Sequence, residues 1–332
     1  MKSALAKILA GGRLSEDEAA AAMSTIMDGE ATPAQIGALL AALAVRGETE
    51  DEVVGFARVM RSRAVAITSR GAVDTCGTGG DGAQSLNIST LASLVVAACG
   101  VPVVKHGNRS SSGACGSADV LEALGLRLDP GPATVQRCLD EVGWCFLFAP
   151  AFHASTRHAV GPRRELGVRT AFNLLGPLTN PALPEAQVVG VPRPDLAPFL
   201  ARCLRRLGVK RAWVVHGSGL DEIGLSGETA VSAFDEGGVR DFVVRPEDAG
   251  LARAPAEALR GGDTPKNAAA ARELLAGRPG PQRDVVLLNA AAALVVARRA
   301  RDLKQGVAAA AEALDQGRAA GLLARVTEIA RA

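Results

Sequence analysis

The sequence predicts an α/β protein in which a small all-α domain at the N-terminus precedes a large α/β domain with a central, mostly parallel sheet. The first 68 residues carry helical patterns and helix-capping signals. From about residue 71, short apolar runs alternate with helical segments, which is typical of βαβ units and a parallel sheet. A chain of 332 residues also suits two domains of about 150 residues each. We therefore assign residues 1–68 to the helical domain and 69–332 to the α/β domain.

Three capping boxes predict the helices of the first domain. In each box a hydroxyl accepts from the N3 backbone N–H, and the N3 side chain reaches back to the cap. Pro33 suits a first helical position, and Gly29 and Gly47 mark helix ends. A shorter helix over about residues 2–9 precedes them. The boxes are Ser15-x-x-Glu18, Thr32-x-x-Gln35 and Thr49-x-x-Glu52.

The second domain is predicted from alternating strands and helices. Strands are expected at 72–75, 101–104, 145–148, 188–191 and 213–215. Helices are expected at 88–99, 118–124 with Ser117 as the cap, 132–142 and 195–207. Residues 236–238 predict a hairpin turn, and the chain should close with helices near 265–276, 284–300 and 303–330. Residues 169–181 show no stable period and are interpreted as a structured crossing segment.

Composition and charge argue against several classes of protein. A net charge of +2 does not favour a dedicated nucleic-acid binder, which usually has a strong basic excess. No apolar run reaches the ~20 residues of a membrane span. The six cysteines form no Cys-x-x-Cys pair, and no secretory signal opens the chain. We therefore expect reduced thiols, a cytoplasmic location, and neither a membrane nor a nucleic acid as partner.

A glycine-rich loop, Gly77-Thr78-Gly79-Gly80-Asp81-Gly82, follows the first predicted strand. Its glycines allow backbone N–H groups to approach an anion, and the helix that begins near Asn87 adds partial positive charge. Neither the P-loop nor the dinucleotide-binding spacing is present. On its own, such a loop is either an anion cradle or a simple turn.

Two further loops follow strands of the same predicted sheet. Lys105 to Gly113 offers cations, an amide and hydroxyls, which are natural partners of phosphate oxygens. It should lie at the carboxyl edge of the sheet, where ligands of open α/β sheets bind. Asp221 and Glu222 follow the strand at 213–215, and their carboxylates suit Mg²⁺ together with substrate phosphates. Asp81 and Ser89 could add metal ligands from the first loop.

A fourth element supplies imidazole and guanidinium groups. His153 begins it, and either Arg163 or Arg164 could bind a carboxylate in a bidentate manner. All four histidines of the chain, at 106, 153, 158 and 216, are expected in these loop segments.

In this order, the motifs resemble the anthranilate phosphoribosyltransferase family of tryptophan biosynthesis. The similarity covers nearly the whole chain. It rests on Gly-Thr-Gly-Gly-Asp-Gly at 77–82, Asn-Ile-Ser-Thr at 87–90, Lys-His-Gly-Asn-Arg-Ser at 105–110, Arg-Thr-x-Phe-Asn-Leu-Leu-Gly-Pro-Leu-Thr-Asn-Pro at 169–181, Gly-Leu-Asp-Glu at 219–222 and Leu-Leu-Asn-Ala at 287–290. The resemblance implies the nucleoside phosphorylase/phosphoribosyltransferase-type fold, a homodimer formed through the helical domain, and a crossing segment at about 162–185 that packs on that domain.

The resemblance also implies an activity. The enzyme would join the amino group of anthranilate to C1 of 5-phosphoribosyl 1-pyrophosphate (PRPP) and release pyrophosphate, the second step of tryptophan biosynthesis from chorismate. An aromatic amine is unprotonated at neutral pH, so positioning and charge neutralisation suffice and no residue is assigned as an acid or base. The cofactor implied is Mg²⁺.

Site residues are carried over from the matching motifs. Mg²⁺ is assigned to Ser89, Asp221 and Glu222. Anthranilate is assigned to Gly77, Asn108, His153 and Arg163, with Arg163 on the carboxylate. The residues assigned to PRPP are Gly77, Gly80, Asp81, Ser85, Asn87, Ile88, Ser89, Thr90, Lys105, His106, Gly107, Asn108, Arg109, Ser110, Ser111, Ser112, Gly113 and Ser117.

Two stretches depart from the family pattern: Ser112-Gly113-Ala114-Cys115 lacks a cation often found over the pyrophosphate, and His153-Ala154-Ser155-Thr156 replaces His-Pro-Ala-Met. Two alternatives stay open. A pyrimidine nucleoside phosphorylase of the same architecture would need neither the paired Asp221-Glu222 nor a carboxylate-binding Arg163. A non-catalytic nucleic-acid-binding relative should show a basic groove and degraded metal motifs.

Overall fold

Four helices form the N-terminal bundle. In the computed structural model, which describes residues 1–110 and 114–332, they are α1 (Lys2–Leu9), α2 (Glu16–Met27), α3 (Pro33–Arg46) and α4 (Glu50–Ser62). All three predicted capping boxes are present, with both the hydroxyl and the returning side chain in place. The helices begin where the sequence predicts because each cap satisfies N–H groups that have no partner within the helix.

A seven-stranded sheet forms the centre of the second domain, in the order β3-β2-β1-β4-β5-β6-β7. The first five strands are parallel, and β6 and β7 are antiparallel, so the predicted mostly parallel sheet is confirmed. The carboxyl ends of β1, β2, β4 and β5 therefore lie along one edge. The strands are β1 (Val73–Gly77), β2 (Val103–Gly107), β3 (Trp144–Phe148), β4 (Ala186–Gly190), β5 (Arg211–Gly217), β6 (Thr229–Asp235) and β7 (Gly238–Val244).

Helices cover both faces of this sheet. One core contains the largely buried α5 and α13, together with α14 and α15. The other joins the opposite face of the sheet to α10, α11 and the N-terminal bundle. No helix within the described parts of the chain is long and apolar enough to cross a membrane. The helices after β1 are α5 (Ile88–Ala98), α6 (Ser117–Ala123), α7 (Pro132–Val142), α8 (Ala149–Phe152), α9 (Arg157–Leu166), α10 (Ala171–Leu178), α11 (Leu196–Arg206), α12 (Thr264–Leu275), α13 (Pro281–Val296), α14 (Leu303–Asp315) and α15 (Arg318–Arg331).

Three local predictions were wrong. The crossing segment contains a helix, α10, at whose start Oδ1 of Asn173 accepts from the backbone N–H of Thr170. Pro177 in its last turn hides the helical period in the sequence, and burial of its apolar face stabilises it. The single helix expected at 303–330 is two helices, because Gly317 adopts a left-handed conformation between them. Ser117 is the first residue of α6 and not its cap, which is Gly116.

Glu52 ties the start of the chain to α4. Its carboxylate is fully buried and accepts from the backbone N–H of Leu14 and of Thr49, each at 2.9 Å. It also forms an ion pair with Arg46, whose guanidinium binds the carbonyl of Gly12. A buried charge is tolerated only when it is paired and hydrogen-bonded, so these contacts depend on one another.

We predict that Glu52→Gln lowers the free energy of unfolding by about 3 kcal/mol, because it leaves Arg46 without its buried counter-charge. Urea denaturation measures the change. Glu18→Gln is the matched control, since Glu18 also stands third in a capping box but pairs with the exposed Lys7. Glutamine preserves a capping box, and the exposed pair between Glu18 and Lys7 contributes little to stability because water screens it. Equal losses in both variants would contradict this account of Glu52.

Candidate active site

The glycine loop and the acidic pair meet at the carboxyl edge of the sheet. The backbone N–H of Gly79 donates to Oδ2 of Asp221 at 2.7 Å, and the N–H of Asp221 donates to Oδ2 of Asp81 at 3.2 Å. The N–H of Ser89 donates to Oε1 of Glu222 at 3.0 Å. These contacts join residues more than 130 positions apart in the chain. The fold thus brings the glycine loop, the start of α5 and both carboxylates together.

The turn that carries Asp221 and Glu222, the acidic turn, packs directly against the ends of neighbouring strands because its backbone can approach them closely. A Cβ on Gly77 would collide with the carboxylate of Asp221, and one on Gly190 would collide with the Asp221 backbone. A Cβ on Gly217 would meet the carbonyl of Glu222. Glycine is needed at these three positions for space, because a larger residue would push the turn away from β1 and β4.

Asn289, a side chain of α13, holds the same turn in place. Its Oδ1 accepts from the N–H of Ile223 at 3.0 Å, and its Nδ2 donates to the carbonyl of Ile223 at 2.9 Å. Asn289 is buried in α13. Both backbone groups of the residue after Glu222 are therefore satisfied by one side chain, which explains the Leu-Leu-Asn-Ala motif at 287–290.

Burial raises the pKa of both acidic groups. The pKa of Asp221 rises to about 7, because its carboxylate is buried and the nearby Asp81 carboxylate adds repulsion. Burial and the neighbouring Asp221 raise the pKa of Glu222 to about 8, against the opposing field of Lys105. Raised pKa values mean that the two negative charges are unfavourable in this environment. A cation bound between the carboxylates would therefore be stabilised.

The donor set fits Mg²⁺. Asp221, Glu222 and the hydroxyl of Ser89, which hydrogen-bonds Glu222, are all hard oxygen donors. Within residues 1–110 and 114–332, no three His, Cys, Asp or Glu side chains form a group that could hold a metal ion by themselves. Mg²⁺ commonly takes one or two carboxylates and completes its coordination with substrate phosphates and water, so two carboxylates are enough.

Lys105 lies in β2 and not in the loop that follows it. Its ammonium group is buried and donates to the carbonyl of Thr75 in β1 at 2.6 Å. The Lys105 charge acts on Asp74 below and on Glu222 above. Asp74 is itself held by Asn180 at 2.9 Å. The Lys105 ammonium group is therefore buried at the carboxyl edge of the sheet, beside Glu222.

The start of α5 is held firmly in position. Asn87, the N-cap residue, donates to the carbonyl of Cys115 and accepts from Nδ2 of Asn267, both at 3.0 Å. Ser85 forms an antiparallel bridge with Arg260, and Ile88 and Thr90 are buried at the beginning of the helix. The first backbone N–H groups of α5 consequently sit beside the glycine loop.

The loop after β2 folds onto α6. The carbonyl of Asn108 accepts from the Ser117 hydroxyl at 3.1 Å, and Gly107 packs so closely on Ser117 and Phe146 that a Cβ would clash. The N–H of Ser110 donates to Asp119, and the exposed Arg109 guanidinium pairs with Asp119 and Glu122. Arg109 is thus bound to α6 carboxylates. The predicted residues Ser111, Ser112 and Gly113 lie outside the described residues.

Two neutral imidazoles lie together next to α10. The ring centroids of His106 and His153 are 5.3 Å apart, and Nδ1 of His106 is 3.1 Å from the carbonyl of Gly176. Burial lowers the pKa of His106 to about 3, with His153 contributing, and burial also lowers the pKa of His153. Neither Nε2 atom has a hydrogen-bond partner in the part of the chain that the structure describes.

The expectation that all four histidines lie in loops was wrong. His106 and His216 are in strands β2 and β5, and His158 is in α9. Only His153 falls between helical elements, immediately after α8. The strands extend further toward the carboxyl edge than their apolar runs suggest, because backbone pairing with neighbouring strands continues past the last apolar residue.

Arg163 projects from α9 onto α10. Its guanidinium lies over the ring of Phe172, 4.9 Å from the centroid. Burial lowers its pKa, and no carboxylate pairs with it among the described residues. An arginine stacked on an aromatic ring is held in place while its N–H donors stay free. Helix α10 therefore contacts Arg163 through Phe172 and His106 through Gly176.

Several supporting residues were not assigned from the sequence. Arg169 donates from Nη1 to the carbonyl of Gly79 at 2.6 Å. Asn267 and Asn289 hold the start of α5 and the acidic turn. Arg169 and Asn289 stood within motifs that carry the resemblance, but their partners lie far away in the chain. Asn267 had no signal in the sequence.

Comparisons with known proteins agree with this architecture. Residues 2–64 match the helical bundle domain of the glycosyl transferase family, and residues 69–320 match its a/b domain. The anthranilate phosphoribosyltransferase of Moorella thermoacetica is 56% identical over 97% of this chain and 96% of its own length. The crystal structure of the Thermus thermophilus enzyme superposes with a TM-score of 0.94 at 47% identity, covering 99% of both chains.

A more distant solved structure is also similar. The Saccharomyces cerevisiae anthranilate phosphoribosyltransferase in complex with PRPP and Mg gives a TM-score of 0.91 at 25% identity, covering 99% of this chain and 97% of that one. The similarity extends over both domains and includes the carboxyl edge where the glycine loop and the acidic turn meet. This chain belongs to the anthranilate phosphoribosyltransferase family of glycosyl transferases.

Proposed function

We propose that this chain transfers the phosphoribosyl group of PRPP to the amino group of anthranilate, giving N-(5-phosphoribosyl)anthranilate and pyrophosphate in the second step of tryptophan biosynthesis. The observation that carries the proposal is the docking of Asp221 and Glu222 against the glycine loop and the start of α5. This arrangement places carboxylates for a metal ion beside a glycine loop whose other backbone N–H groups suit an anion.

PRPP is assigned to the cradle, by which we mean the space between the glycine loop at 77–82 and the loop that follows β2. The glycine-loop amides and the N-terminus of α5 face its pyrophosphate, while the Asn108–Ser117 contact supports the second loop. Lys105 adds positive charge through the sheet edge. Arg109 acts from the α6 side, where Asp119 and Glu122 fix its guanidinium.

Ser89, Asp221 and Glu222 would hold Mg²⁺ together with oxygens of the substrate. A metal ion at this place would supply positive charge that offsets the negative charge of the departing pyrophosphate. The raised pKa values of Asp221 and Glu222 support this assignment, because a bound cation would offset the effects of burial and of mutual repulsion that raise them.

Anthranilate is assigned to Gly77, Asn108, His153 and Arg163; Arg163 stacks on Phe172 of α10, and His153 packs on His106, which contacts Gly176 of the same helix. Arg163 binds its carboxylate and thereby points the amine at C1 of the ribose. The amine nitrogen forms the new bond to C1, the bond from C1 to the pyrophosphate oxygen breaks, and the proton that the nitrogen loses passes to water, since no residue is assigned as a base.

We expect the purified protein to consume anthranilate only when PRPP and Mg²⁺ are both present. Anthranilate is fluorescent, so its loss can be followed continuously, and EDTA should stop the reaction until Mg²⁺ is restored. Omission of PRPP is the control for non-enzymatic loss. Folded protein that leaves anthranilate unchanged in the complete mixture would sink the proposal, and phosphorolysis of a pyrimidine nucleoside by that sample would favour the alternative enzyme.

We predict that Arg163→Ala raises the anthranilate KM by about tenfold or more while changing the PRPP KM less than about twofold. The reason is the loss of two charge-assisted hydrogen bonds to the substrate carboxylate. Steady-state kinetics with each substrate varied in turn measures the split. Arg157→Ala, an exposed arginine at the other end of α9, is the matched control. Equal increases in both KM values would count against the assignment of Arg163.

The domain division at residue 68 is part of the same proposal. Helix α9 contacts α2 and α3, and α10 contacts α3 and α4. These contacts support a crossing segment, at about 162–185, that returns from the large domain to the helical bundle. Limited proteolysis should cut the linker at 63–72 before it cuts inside either domain. Cleavage inside a domain while this linker stays intact would contradict the division.

The protein is expected to act as a homodimer through the helical domain. Leu9 in α1, Val45 in α3 and Val160 in α9 are 70%, 91% and 54% exposed, and α3 contacts both of the other helices. Exposed apolar side chains on adjoining helices suit an interface. Sedimentation equilibrium should give twice the 33.9 kDa chain mass, and Val45→Glu should shift it toward the monomer. A wild-type monomer at micromolar concentration would exclude this assembly.

A cytoplasmic location fits this biosynthetic role. All six cysteines are free thiols. Recovery of the tagged native chain in a periplasmic or membrane fraction would overturn this assignment.

A further inference from the structure

We propose that Arg169 is a positioning residue that couples the glycine loop to the helical domain and so sets the orientation of the loop amides for PRPP. The inference rests on the proposed function, because it takes the glycine loop as the PRPP cradle. It concerns a side chain that touches the loop backbone and that acts on substrate only through the loop.

Arg169 and Asp221 bind the two backbone polar groups of Gly79. Nη1 of Arg169 donates to the Gly79 carbonyl at 2.6 Å, while the Gly79 N–H donates to Asp221 at 2.7 Å. The bond from the guanidinium is charge-assisted and therefore stronger than a neutral one, so the two bonds together determine how the peptide units on either side of Gly79 are turned.

The loop also packs against the guanidinium group. At Gly80, whose φ is +77°, a Cβ would collide with Nη1 of Arg169. The close approach means that the loop rests on the arginine over two successive residues. The positive φ of Gly80 by itself favours glycine at this position, and the short approach shows in addition that the Arg169 guanidinium contacts the loop backbone.

Arg169 comes from the segment that crosses back to the helical domain. It lies between α9 and α10, the helices that contact α2, α3 and α4. The charged groups that act on it are Asp221 and Asp81 in the large domain, Glu48 between α3 and α4, and Arg193. Arg169 thus lies between Asp81 and Asp221, which adjoin the glycine loop, and Glu48 of the helical domain. A shift of one domain relative to the other would therefore move the glycine loop.

The mechanistic consequence concerns PRPP and not anthranilate. Loss of Arg169 would leave the Gly79 carbonyl without its charged donor and would release the loop from the crossing segment. The N–H groups would then have to be ordered when PRPP binds, which weakens binding of the pyrophosphate. Arg163 and His153 have their own supports, since Arg163 stacks on Phe172 and His153 packs on His106, and they would keep their geometry.

The test is steady-state kinetics on Arg169→Ala, Arg169→Gln and Arg169→Lys. We expect Arg169→Ala to raise the PRPP KM by about tenfold or more, with the anthranilate KM changed less than about twofold. Arg169→Lys, which keeps the charge and one donor, should recover part of the loss, and Arg169→Gln should recover less. Arg193→Ala is the matched control, because it removes a neighbouring positive charge that pairs with Asp195 and does not bond to the loop.

Coupling to the helical domain is measured with Glu48→Gln. This variant should raise the PRPP KM by about two- to fivefold, and its effect should disappear in the Arg169→Gln background. Additive effects of the two substitutions would overturn the coupling. If Arg169→Ala does not fold, as judged by its melting temperature, Arg169→Lys and Arg169→Gln still decide the matter.

The outcomes separate this inference from the proposed function. An active wild-type enzyme whose PRPP KM is unchanged in all three Arg169 variants would refute the positioning role and leave the activity intact. A wild-type protein without activity would refute the proposed function itself. Equal increases of the PRPP and anthranilate KM values would indicate a general structural role and would also overturn the inference.

Discussion

The rest of the site depends on the close packing of the acidic turn against the ends of strands β1 and β4. The turn that carries Asp221 and Glu222 reaches the glycine loop only because Gly77, Gly190 and Gly217 have no side chains to keep it away. Asn289 then locks the residue that follows the pair. Without this close approach the carboxylates would face solvent, and the cradle would have no groups to hold a metal ion.

In the described part of the proposed site, a buried lysine and two neutral imidazoles lie around this contact. Lys105 is buried between Asp74 and Glu222, and the two imidazoles are kept neutral by burial. Such a site stabilises charge that develops on a leaving group and orients a nucleophile that is already unprotonated. The family chemistry requires little else, because aromatic amines are reactive in their neutral form.

The site also lies where the two domains meet. Helix α10 contributes to the packing of the N-terminal bundle and, through Phe172 and Gly176, contacts Arg163 and His106. Arg61 at the end of α4 donates to the carbonyls of Leu178 and Leu207, which ties the bundle to the ends of α10 and α11. The proposed anthranilate site is therefore supported from the helical domain, and the proposed PRPP site from the sheet.

The sequence by itself determined the elements whose cause is local. Ser15, Thr32 and Thr49 start helices because a hydroxyl and an N3 side chain are all that a capping box needs, and alternating apolar runs sufficed for the mostly parallel sheet. The motifs also indicated the family. The tertiary structure alone decided whatever depends on distant partners: the helical state of 171–178, the burial of Lys105, the binding of Arg109 to α6, and the contact of Arg169 with Gly79. Local signals cannot reveal these features, because each follows from packing or charge pairing between segments that meet only after the chain has folded.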